Sequence, residues 1–86
     1  MDRVLLISLL RAAEQRIANA EQQIATQRDL ISSLRRAGRD SSSAHALLRQ
    51  IEQTQLQDIG DREWLRSNLQ ELNAIEDSKA DPPASD

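Results

Sequence analysis

Between Leu6 and Leu34 apolar residues recur in alternating steps of three and four. With Leu10 placed at position a of a heptad, the a sites are Leu10, Ile17, Ile24 and Ile31, and the d sites are Leu6, Ala13, Ala20, Gln27 and Leu34. Gln27 is the one polar member of these nine consecutive sites, so the stripe holds for four heptads. A stripe that long marks a helix built to pack lengthwise on another helix, as in a coiled coil. The neighbouring e sites Glu14, Glu21, Arg28 and Arg35 are charged, as the solvated edge of such a seam requires. The pattern predicts a first helix over about 2–37, roughly 54 Å long at 1.5 Å per residue.

Gly38 follows the last periodic residues, and Arg35 and Arg36 stand in the final turn. Cations there complement the carbonyl end of a helix, and glycine supplies a left-handed cap. Residues 39–43 are short and polar, with Asp40 or Ser41 suited to cap a new helix. A turn at 38–41 between two long helices returns the second antiparallel to the first. The second helix is predicted over about 42–75, with Ala44, Leu47, Leu48 and Ile51, then Leu65, Leu69 and Leu72, on one side. Between these clusters the stripe carries Thr54, Gln55, Asp58 and Arg62, with Asp58 and Arg62 spaced to pair four residues apart. Gly60 marks a kink or a break capped by Asp61, since glycine inside a helix costs about 1 kcal/mol relative to alanine. From 76 to 86 the sequence reads as a disordered acidic tail, with Pro82 and Pro83 excluding helix.

Folding about residues 38–41 opposes positions whose numbers add to about 79. Leu10 then falls near Leu69, Leu6 near Leu72 and Ile31 near Leu48, with Ala13, Ile17, Ala20 and Ile24 lining the centre. The expected architecture is all-α, an antiparallel two-helix coiled-coil hairpin over 1–75. Spare apolar surface remains at Val4, Leu5, Leu9 and Ala12, and at Leu56, Ile59 and Trp64, the last nearly opposite the seam. Two helices alone rarely stabilise so small a chain, so a homodimer closing into a four-helix bundle is expected.

Composition narrows the picture. The chain of 86 residues has one aromatic residue, Trp64, and only two glycines and two prolines, which disfavours a sheet. Absence of cysteine removes disulfides and thiolate chemistry, and a cytoplasmic protein is the default expectation. The apolar run Val4–Leu10 is too short to span a bilayer and reads as mature helix, not as a secretory leader.

The net charge of −3 is unevenly spread. Residues 28–49 carry five arginines against Asp29 and Asp40, a net of +3, whereas residues 50–86 carry nine acids against Arg62, Arg66 and Lys79, a net of −6. Arg35, Arg36, Arg39 and Arg49 therefore form a candidate anion-binding tip, and nucleic-acid association is the alternative function. Aromatic residues for base stacking are missing there. A membrane-surface role for Val4–Leu10 is a second alternative, opposed by its few cations.

Enzymatic chemistry finds no footing. The single histidine, His45, has Ser42 three residues before it, so the Glu-x-x-His pattern of bundle metal sites is absent, and His45 reads as a solvated first-turn residue. Ser41, Ser42 and Ser43 are explained as caps, and no glycine-rich phosphate loop exists. No cofactor, metal or catalytic residue is expected.

The stretch from Glu14 to about Leu69, with its Ile-rich first helix, the Gly38-x-Asp40 turn and the Ala44, Leu47, Leu48 start of the second helix, resembles a group of short uncharacterised bacterial helical-hairpin proteins. The resemblance implies the hairpin and carries no activity or catalytic residues. The present chain departs from that pattern in having arginines where acidic residues tend to precede the glycine. A non-enzymatic module for protein–protein interaction or scaffolding, self-associating and binding an unknown protein partner, is the function the sequence favours.

Overall fold

Helix α1 (Arg3–Arg36) and helix α2 (Ser42–Ala80) pack antiparallel as a hairpin in the computed structural model, which describes residues 2–80, with side chains through 76. Asp2 opens α1 in extended geometry (φ −66°, ψ 137°), and its carbonyl accepts from the Leu6 amide at 3.0 Å; its side chain makes no capping bond. At the other end the Gly38 amide donates to the Arg35 carbonyl (3.1 Å) and the Arg39 amide to the Leu34 carbonyl (2.8 Å). These two bonds, with Gly38 left-handed at φ +69°, form a Schellman closure that satisfies carbonyls the helix would otherwise leave bare.

Asp40 starts α2. Its Oδ1 accepts from the Ser42 hydroxyl (2.6 Å) and from the Ser42 amide (3.0 Å), while the Ser41 carbonyl receives the first helical bond from His45 (2.9 Å). The side-chain bond first, and the amide bond second, stabilise the carboxylate and lower its pKa from the usual 3.8. Helix α2 then runs 39 residues, past Gly60 without the break its glycine suggested. It also continues beyond 75 to Ala80, so residues 76–80 of the expected tail are helical; residues 81–86 lie outside the described residues.

The stripe of α1 is the inner face. Leu6, Ala13, Ile17, Ala20, Ile24, Gln27 and Ile31 are buried, in steps of three and four. Among the residues of α2 whose side chains are described, only Ala44, Asp58 and Leu65 are buried, because Gln55, Asp58 and Arg62 interrupt its apolar stripe. Leu6, Ala13 and Leu65 form the best-closed cluster, with Leu10, Leu69 and Leu72 packed against it. Ala13 has no exposed surface, and its small side chain lets the helices approach closely. Burying a leucine such as Leu6 contributes about 1.5–3 kcal/mol, so this end anchors the hairpin. Leu34, Leu48 and Ile51 are half-buried near the turn. Leu47, expected in the seam, is instead 46% exposed: Ala44, Leu48 and Ile51 already take the inward positions, and Leu47 falls beside them.

Candidate interaction faces of the hairpin

Ionic contacts lie mainly along one edge of the hairpin. Arg66 reaches Glu14 at 3.5 Å and Arg28 reaches Glu52 at 3.9 Å across the helices, while Arg66 also meets Glu63 at 3.6 Å on its own helix. The residue numbers of both cross-helix pairs add to 80, so they sit at the same relative register. Exposed pairs contribute about 0–1 kcal/mol each, and their greater effect is to penalise a slipped alignment. Arg3 and Glu76 meet at 2.6 Å where α1 begins beside the last turns of α2.

Two buried polar residues of the stripes find partners across the interface, Asp58 at the centre and Gln27 nearer the turn. The Arg16 Nε donates to Asp58 Oδ1 at 3.1 Å, and the Gln27 Nε2 donates to the Ala44 carbonyl at 2.9 Å. The expected Asp58–Arg62 pair is not formed. Asp58 points at α1, whereas Arg62 binds its neighbour Glu63 at 3.0 Å. Burial explains the exchange: a carboxylate held in the interface is satisfied best by a cation from the facing helix.

The opposite edge is concave. Shallow grooves there are lined by Arg16, Asn19, Gln23, Leu47 and Thr54 near the centre, by Leu9, Asp61 and Trp64 further along, and by Asn68, Leu72 and Ile75 at the open end. Stepping by seven from Leu9 through Arg16 and Gln23 reaches Leu30, and stepping back from Asn19 through Ala12 reaches Leu5, so both belong to this side. Six of the eight large apolar side chains exposed on the described residues therefore share one face: Leu5, Leu9, Leu30, Leu47, Trp64 and Ile75. The other two, Val4 and Leu56, lie on the ionic edge. The expected surface of Val4, Leu5, Leu9, Leu56, Ile59 and Trp64 is thus split between two sides, and Ile59 is half-covered. Trp64 is not opposite the seam; it lines a groove with Leu9 and Leu65. Leu30 and Ile75 escaped the sequence reading, although the run Leu9, Arg16, Gln23, Leu30 beside the seam was the signal for the first of them.

At the tip, Arg36 Nε donates to the Ser32 carbonyl at 3.4 Å. Arg35, Arg39 and Arg49 have no carboxylate within 4.0 Å among the described residues. His45 is half-buried and not a freely solvated residue: its Nδ1 lies 2.9 Å from the Ser41 carbonyl, and a carbonyl only accepts, so that nitrogen carries the proton. No group of three or more His, Cys, Asp or Glu among the described residues is placed to hold a metal. No helix among them is long and apolar enough to cross a membrane. No family model, curated protein or solved structure matches the chain.

Proposed function

We propose that this protein is a non-enzymatic helix-binding module that self-associates and serves as a scaffold or adaptor. The observation that carries this reading is the gathering of Leu5, Leu9, Leu30, Leu47, Trp64 and Ile75 along one grooved face, whose charged lining residues are Arg16, Asp58, Asp61 and Glu71. Exposed apolar clusters on one face, Leu5, Leu9, Trp64 and Ile75 toward the open end and Leu30 and Leu47 toward the turn with a polar centre between them, mark a protein contact. Helical partners suit it best, because a long groove between two parallel-running ridges accepts the side-chain stripe of another helix. Light scattering at micromolar concentration, with helicity followed by circular dichroism, tests the reading. A helical dimer is expected, and a fully helical monomer would overturn self-association.

A second reading, anion or nucleic-acid binding at the tip, is favoured by Arg35, Arg39 and Arg49 having no carboxylate within 4.0 Å among the described residues. Under it, binding to duplex or single-stranded DNA weakens steeply with salt and is lost when Arg35, Arg36 and Arg39 become alanine. Affinity unchanged by that triple substitution excludes the tip.

A further inference from the structure

Two copies of an elongated hairpin can share an apolar face in two orientations, and they differ electrostatically. With the copies parallel, turn lies beside turn; with them antiparallel, each turn lies beside the other copy's open end. Apolar matching alone does not choose. In the parallel arrangement Leu9 meets its own counterpart, and in the antiparallel one at full overlap Leu9 comes level with Leu30 and Leu47 of the other copy.

Charge does choose. The turn half, residues 28–49, carries +3. Among the described residues the open end combines residues 2–12 (Arg3 and Arg11 against Asp2, +1) with residues 67–76 (Glu71 and Glu76, −2), a net of −1. Parallel copies bring +3 against +3 at one end and −1 against −1 at the other. Antiparallel copies bring +3 against −1 at both. Opposed potentials steer association and like ones penalise the wrong register. Glu71 belongs to the grooved face, and the arginines of the turn lack local carboxylate partners among the described residues, so charges of both signs remain available for this pairing.

Area is sufficient. A face about 51 Å long, from 34 helical residues, and about 20 Å wide, from two helix diameters, offers roughly 1,000 Å² per copy. A standard interface needs about 800 Å² per partner.

We propose that a second copy of this chain seats on the grooved face in antiparallel orientation, the basic turn of each hairpin beside the acidic open end of the other, with two-fold symmetry. The proposal rests on the self-association reading above and specifies the face and the orientation.

The test uses the full chain carrying one nitroxide per copy, attached through Ser32→Cys. Ser32 is exposed, uncharged and outside the grooved face. Antiparallel copies hold the two labels roughly 40 Å apart, since Ser32 then lies level with Ser8 of the other copy, 24 residues away along the helix. Parallel copies hold them within about 20 Å, a distance set by two helix diameters. A distance near 40 Å supports the proposal. One near 20 Å overturns the orientation and leaves self-association standing; absence of dipolar coupling, with monomeric scattering, overturns both. The face is read separately by the double substitution Leu9→Glu and Leu47→Glu, both at exposed sites, against Leu56→Glu on the ionic edge. Loss of the dimer in the first with retained helicity, and its persistence in the second, is expected. The reverse pattern refutes the assigned face.

Discussion

Arg16 and Asp58 meet across the middle of the hairpin, Nε to Oδ1 at 3.1 Å, with the carboxylate side chain 13% exposed and the arginine 51% exposed. The pair is lopsided: Asp58 depends on its partner for satisfaction, whereas Arg16 retains water. Arg16→Ala should therefore cost about 1–3 kcal/mol, the penalty of an unsatisfied buried polar group, discounted toward the lower end because the pair is partly hydrated. Asp58→Leu should be nearly neutral or stabilising, since it fills the same space with an apolar group and leaves Arg16 in solvent. Urea unfolding of both variants at one fixed protein concentration checks the asymmetry; equal losses would show that the pair acts by attraction and not by satisfying Asp58.

Gly60 and Gly38 should respond to alanine with opposite signs. At Gly60 a Cβ would meet nothing within 4 Å in an unbroken helix, so Gly60→Ala should stabilise by about 0.5–1 kcal/mol through helix propensity. Gly38 has equal space, but its φ of +69° disfavours any side chain. Gly38→Ala should therefore destabilise by about 1–2 kcal/mol, and Gly38→Asn by less. Thermal melts of the three variants distinguish the effects by the direction of the Tm change.

Asp40 gives a pH signature. Its carboxyl is held below the usual 3.8 by the Ser42 hydroxyl and then by the Ser42 amide, so the folded chain binds that proton less readily than the unfolded one. Its stabilisation is accordingly full above the unfolded value and is lost as pH falls below 3.8 through the lowered folded value. Asp40→Asn should be less stable than the parent at neutral pH, with the gap narrowing in that acid window. Denaturation from pH 7 to pH 2 measures it, and a gap that does not change with pH contradicts the cap.

Gln27 tests the meaning of a polar residue in an apolar stripe. Its buried amide bonds the Ala44 carbonyl, tying the last third of α1 to the first turn of α2. Gln27→Leu should retain stability to within about 1 kcal/mol while loosening the alignment, because leucine packs equally well in neighbouring registers. Amide chemical-shift dispersion should narrow near Ala44 without a fall in helicity. Unaltered dispersion would mean that the ion pairs alone hold the register.

Much of this protein was legible along the chain. The steps of three and four from Leu6 to Leu34 identified the inner face of α1, because a helix repeats its orientation at that spacing wherever it packs. Gly38 and Asp40 located the turn, since left-handed closure and amide capping depend on single residues. Two features depended on the folded pair. Asp58 could bond Arg62 on its own helix or Arg16 across the interface, and only the cross-helix geometry selected Arg16. The grooved face likewise unites side chains from both helices: Leu9 with Trp64, and Gln23 with Leu47. Sequence periodicity determined which way α1 faces, a local property of the backbone, but not where Leu47 and Trp64 of α2 would lie. Which edge of the hairpin gathers charge and which gathers apolar surface was decided only by docking one helix on the other, because that depends on their relative register and hand.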